Sequence, residues 1–331
     1  MSTEGGTRAV IAALLANLGI AATKFLAFFL TGFSSMLAEA IHSVADSGNQ
    51  ILLLIGGKRS QREATPQHPF GFGRERYVYS FIVSIVLFTL GGCFALYESW
   101  HKWEETRGDA DYDPFESRWW WVPVVVLVAA IAMEGFSFRT AVRESNKLRG
   151  SRSWLRFVRS SKAPELPVIL LEDFGALIGL SFALLGVGLM LLTGNPVFDV
   201  LGSASIGVLL VIIAAFLAVE MKSLLVGESA TTAHQQAILE ALAAPEAVQR
   251  VIHSKTLHLG PDELLVAAKL AVAPTERADE VAAAIDEAER RARDAVPELV
   301  LLMYLEPDVD RGDAYVADPR PEPPAGTAAA H

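Results

Sequence analysis

The sequence predicts a polytopic α-helical membrane protein with a small α+β domain after its last span, and three observations carry that prediction. Of 331 residues, 52% are hydrophobic and only 20% charged, below the quarter that is usual for soluble domains. The apolar residues gather into runs of about the 20 residues that a helix needs to cross the hydrocarbon core. After Lys222 the composition changes, and helix-like and strand-like stretches alternate. The net charge of -10 argues against a nucleic-acid partner. One cysteine, Cys93, leaves no internal disulfide framework and no cysteine-built zinc module.

Six segments are expected to span: Ala9–Thr31, Ser35–Gly57, Tyr77–Tyr97, Trp119–Phe138, Leu166–Thr193 and Pro196–Val219. The first lacks the basic n-region and cleavage site of a secretory signal. Segments 58–76 and 139–162 are rich in Lys and Arg, whereas 98–118 is acidic and flanked by Trp100, Trp103 and Trp119–Trp121. By the positive-inside rule both termini are then cytoplasmic, and the expected location is the cell membrane, multi-pass. The basic stretch 143–162 either orients the chain or also binds anionic lipid heads.

In the polar part, Thr232–Leu242 reads as a helix, Gln249–Leu257 and Glu263–Val272 as strands, Glu276–Val296 as a helix, and Leu299–Leu305 as a strand. The turn Leu259–Asp262 joins the first two strands. This αββαβ order is ferredoxin-like, with helices on one face of a sheet. The expected domains are thus a six-helix transmembrane part over 1–227, a cytoplasmic αββαβ part over 228–307, and a disordered Pro/Ala-rich tail over 308–331.

Charge at membrane depth is costly, so ionisable residues there usually face a cavity or a partner. The second span holds Glu39, His42, Asp46, Asn49 and Gln50. His42 and Asp46 are four apart and therefore share one helix face. An imidazole nitrogen and a carboxylate oxygen one turn apart make half of a tetrahedral zinc-type site. Glu172 or Asp173 on the fifth span completes it if the two spans pack together. The competing reading is a hydrogen-bond network that only joins helices. Spacing says ion site without naming the ion.

Leu37–Gln50 resembles the second span of the cation diffusion facilitators, and His68–Glu75 resembles the loop that follows it in that family. Glu134–Phe138, Leu171–Asp173 and His258–Asp262 further resemble the branch that includes the mitochondrial zinc-transporter homologues. The resemblance covers roughly residues 8–307. It implies a proton-coupled antiporter that exports a divalent metal, zinc first, from the cytoplasm. It also implies a homodimer whose soluble domains pair.

Carried over residue by residue, the resemblance makes His42 and Asp46 the first pair of metal ligands and Asp173 the last. The position four before Asp173 is Ile169, which cannot bind metal, so either Glu172 or a water fills the fourth place. Successive helical residues point about 100° apart, so Glu172 and Asp173 reach one spot only with local distortion. A site richer in oxygen is harder and opens manganese, iron or cobalt as alternative cargo. His68 matches one ligand of a loop site whose second histidine is Phe72 here. It therefore binds metal in a degenerate site or anchors the turn of Pro69, Gly71 and Gly73. His253 matches a ligand of the soluble domain, but its expected neighbour across the strands is Lys269, a poor ligand when protonated.

Glu134 either lines the metal's route or pairs with Arg139. Asn17 and Lys24 in the first span read as packing and snorkelling groups, and Asp199 as a helix cap. The other functional reading is a transport-inactive membrane scaffold or metal sensor of the same fold. The chain has no H-E-x-x-H and no G-x-S-x-G, so it is not expected to be an enzyme.

Overall fold

The computed structural model describes residues 2–31, 34–106 and 118–310; the side chains of Glu39 and His42 lie outside the described residues. The chain divides into two compact units, Met1–Gly227 with Leu259–Pro261, and Glu228–His258 with Asp262–His331.

The first unit is helical. In order it contains α1 (Ser2–Thr31), α2 (Ser34–Arg59), α3 (Glu75–Val86), a π-helical turn (Leu87–Cys93), α4 (Phe94–Thr106), α5 (Val122–Arg149), the short α6 (Trp154–Ser160), α7 (Glu165–Thr193) and α8 (Val197–Val226). Among the described residues four stretches are long and apolar enough to cross a membrane: Glu75–Glu105, Val122–Arg149, Glu165–Thr193 and Val197–Val226. α1 and α2, of 30 and 26 residues, precede them.

Several boundaries differ from the expected ones. The expected third span continues through the π turn to Thr106, so the start of the expected acidic loop, Glu98–Glu105, is helical. Apolar content ends near Tyr97, but backbone hydrogen bonding carries the helix on into polar sequence. At the π turn Gly92 faces α8 so closely that a Cβ there would lie 2.7 Å from Val211 Cγ2. A π turn is the known way to fit an extra residue into a helix at such a contact. α6 was not foreseen: its seven residues sit within the basic segment, with Ser153 capping its start by accepting from Arg156 N.

The α7–α8 hairpin is closed by small residues. Gly194, with φ +70, ends α7 and donates to Met190 O at 2.8 Å, the left-handed stop that glycine adopts without steric cost. Asn195 Oδ1 then accepts from Val197 N at 3.0 Å and caps α8. Asp199 is therefore not the cap, and instead faces Lys102 at 3.5 Å. A Cβ at Gly186 would lie 2.7 Å from Phe198 O, and one at Gly202 2.9 Å from Phe182 O. Only glycine permits this backbone approach, the usual device for joining helices in lipid.

The second unit contains α9 (Thr232–Leu242), β1 (Val248–His258), β2 (Glu263–Val272), α10 (Ala278–Ala295) and β3 (Val300–Val309). The sheet order is β1-β2-β3, antiparallel between β1 and β2 and parallel between β2 and β3. Leu264, Val266, Ala268 and Leu270 alternate along the central strand and are buried against Ala284, Ala288 and Ala292 of α10 and Ile238 and Leu242 of α9. The alanine stripe at four-residue spacing lets α10 lie close to the sheet. β3 runs past the expected boundary at Pro307, because Asp308 and Val309 remain paired with Ala271 and Val272. The rest of the expected disordered tail, from residue 311, lies outside the described residues.

Candidate functional site

Five of the buried charges of the first unit lie on α1, α2, α5 and α7. Lys24 on α1, Asp46 on α2, Glu134 on α5, and Glu172 and Asp173 on α7 are each no more than 7% exposed. Charges buried this deeply are tolerated only with partners, since desolvation costs several kcal/mol per ion. α7 packs against α1, α5 and α8, and its link to α2 runs through polar side chains.

Glu172 and Asp173 point to different partners, as their angular separation requires. Glu172 Oε1 accepts from Asn49 Nδ2 at 2.9 Å, and its Oε2 from Gln50 Nε2 at 3.1 Å. Gln50 Oε1 in turn accepts from Asn17 Nδ2 at 3.3 Å, so Asn17 does pack as a structural group. Asp173 Oδ2 accepts from Ser137 Oγ of α5 at 2.7 Å. Ile169, four residues before Asp173, is fully buried in the hydrophobic core.

Asp46 and Glu134 meet at one cavity. It measures about 30 Å³, and its polar wall is formed by Lys24, Ser43, Asp46 and Glu134. The opposite wall is apolar and includes Gly175 and Gly179 of α7. That volume holds one water or one ion stripped of its hydration shell. Glu134 interacts electrostatically with Asp173, Asp46 and Lys24, and its Oε2 is buried without a hydrogen bond. It lines the cavity, while Arg139, the other expected partner, is exposed. Among the described residues no three His, Cys, Asp or Glu side chains already converge on a point where one ion would sit. His42 lies on α2 one turn before Asp46, with its side chain outside the described residues.

Two features carried no sequence signal. Lys24 does not snorkel: it is 3% exposed, and its Nζ donates to Ser43 Oγ at 3.0 Å. Arg76 and Glu165 form a buried ion pair through Nε and Oε1. That pair borders a larger cavity of about 250 Å³, between Leu53, Gly57, Lys58 and Gln61 at the basic end of α2. It lies at the end of the helices that carries the basic loops, below the small cavity.

The accessory histidines are differently placed. His68 is exposed, stacks on Phe72 with ring centroids 4.7 Å apart, and exchanges backbone hydrogen bonds with Thr65. It anchors its turn. In the second unit His253 stands across from Lys269 in the β1–β2 register. Lys269 Nζ lies 3.0 Å from both Glu306 Oε1 and Asp308 Oδ2, so this position presents an ammonium where a ligand would be needed. His234 Nε2 faces Glu298 Oε1 at 2.9 Å.

The profile of the cation efflux transmembrane domain matches residues 10–226. The mitochondrial proton-coupled zinc antiporter SLC30A9 of Xenopus laevis is 34% identical over 262 residues, 78% of this chain and 45% of that protein. Its Homo sapiens counterpart is 35% identical over 239 residues, 72% of this chain and 41% of that protein. Metal tolerance protein C4 of Arabidopsis thaliana is 26% identical over 263 residues, 79% of this chain and 56% of that protein. The chain thus spans about half the length of the curated relatives it matches. The expectation of a cell-membrane location is corrected by these relatives, because the zinc antiporters among them are named mitochondrial. Loop charge orients a chain across a membrane but does not identify the membrane.

Proposed function

This chain belongs to the cation efflux family, and on that premise we propose that it is a proton-coupled zinc antiporter, a secondary transporter and not an enzyme. The observation that carries the reading is the small cavity lined by both Asp46 and Glu134, which interact electrostatically with Asp173 and Glu172. A dication entering about 30 Å³ must shed its water, and carboxylate oxygens supply the replacement coordination. A fixed hydrogen-bond network would need no cavity and would leave no buried carboxylate oxygen such as Glu134 Oε2 unbonded.

The proposed ligands are His42, Asp46 and Asp173, with Glu134 the carboxylate that takes the place of Ile169. Glu172, next to Asp173 on α7 and held by Asn49 and Gln50, guides the ion toward Asp46. Metal arrives through the larger cavity beside Arg76 and Glu165 and leaves at the opposite face. Ligands must be deprotonated to hold metal, so binding expels protons and proton return expels metal. This exchange needs no ATP.

We further propose that α1, α2, the α3–α4 helix, α5, α7 and α8 are six spans, that the second unit is ferredoxin-like, and that two copies pair through it. Zinc flux into vesicles carrying the purified chain, under pH gradients of both signs, tests the antiport. The flux should reverse with the gradient. Flux indifferent to its size and sign would exclude proton coupling.

A further inference from the structure

Lys24 is a cation inside a site proposed to carry a cation. It is 3% exposed, in the last third of α1, and donates to Ser43 Oγ at 3.0 Å. It shares the wall of the small cavity with Asp46 and Glu134 and interacts electrostatically with Glu134. The charged groups on this wall come from α1, α2 and α5; α7 and α8 contribute only glycine, alanine and aliphatic side chains. An ammonium and a dication cannot share a cavity of about 30 Å³ without strong repulsion.

We infer that Lys24 is a tethered counter-cation, which offsets one charge of the Asp46 and Glu134 pair when no metal is bound and competes with the metal for them. The inference rests on the transport reading given above. A lysine on a flexible four-carbon stem can withdraw from the cavity while its helix stays in place. Its tether keeps it at high effective concentration beside the carboxylates, as a linked ligand is. It therefore weakens metal affinity and speeds release, because the carboxylates left by the departing ion are covered again at once. Lys24 thereby tunes affinity and turnover without itself ligating metal.

The test uses the full chain, with zinc ion as the probe, in two measurements: calorimetric titration in detergent and zinc flux in vesicles. Lys24→Gln keeps a donor for Ser43 and removes the charge. It should bind zinc about tenfold tighter or more, with KM falling and maximal flux falling together. Lys24→Arg should restore weak binding and fast release. A purely structural lysine would move both parameters the wrong way, losing affinity on removal. If Lys24→Gln does not fold, the charge-balanced Lys24→Gln/Glu134→Gln pair is compared with Glu134→Gln alone, and tighter binding by the pair is expected. Equal or weaker affinity on loss of Lys24, in a chain that still transports zinc, overturns the inference and leaves the transport reading standing. Wild-type protein that neither binds nor moves zinc overturns both.

Discussion

The hydroxyl of Ser137 on α5 donates to Oδ2 of Asp173 on α7 at 2.7 Å, and both residues are buried. This bond fixes the rotamer of a proposed ligand and ties together the two helices that supply Glu134 and Asp173. Groups that orient metal ligands in this way typically account for about 10–100-fold in affinity or activity. Ser137→Ala should therefore raise the KM for zinc by about tenfold with little loss of folded protein. An unchanged KM in vesicle flux would show that Asp173 is oriented by other means.

Glu172 accepts from two amides of α2, Asn49 at 2.9 Å and Gln50 at 3.1 Å. Glu172→Leu strands both donors in a buried setting and should cost about 1–3 kcal/mol of stability per unsatisfied group. Glu172→Gln keeps an acceptor and should fold nearly as well as wild type. Thermal unfolding in detergent separates the two variants. If Glu172→Gln also transports normally, charge at this position is dispensable to the metal route.

In the second unit the absence of a second histidine across from His253 is a matter of one residue. His253 and Lys269 are cross-strand partners, and such pairs bring Cβ atoms to about 5 Å. Lys269→His should therefore create a zinc-binding pair where the wild-type chain presents an ammonium. Zinc at micromolar concentration should raise the melting temperature of Lys269→His and leave this transition in the wild-type chain unchanged. A zinc-dependent shift in wild type would reveal ligands other than His253.

Glu263 opens β2, and partial burial together with the neighbouring Asp262 raises its carboxyl above the ordinary range. A raised carboxyl favours the folded state while protonated, so its contribution is present at low pH and lost as pH climbs through the folded value. Glu263→Gln should then stabilise the strand at pH 7, by less than about 1 kcal/mol given solvent screening. It should make no difference below about pH 4. Hydrogen exchange of β2 amides across that pH range reads the effect, and a gain at low pH alone would reverse the assignment.

Much of this was visible in the sequence because its signals are strong ones. Asp46, Glu172 and Asp173 stand out as charges in apolar runs, and the alternation from Leu264 to Leu270 marks a central strand. Span ends were less legible: α4 runs on to Thr106 and α5 to Arg149 through polar residues that hydropathy counts against a helix. The partners of the acids were least legible. Nothing local distinguishes Ser137 from any other helical serine, and snorkelling is the usual fate of a lysine such as Lys24. Whether a side chain reaches solvent or a neighbouring helix depends on how α1, α2 and α5 are rotated against one another, which periodicity within one helix does not specify.

Anomalous diffraction at the zinc edge from zinc-soaked protein tests the central claim most directly. The account predicts a peak in the transmembrane unit between Asp46, Glu134 and Asp173, lost in Asp46→Asn. Zinc found only in the second unit, or a transmembrane peak that survives Asp46→Asn unchanged, would contradict it.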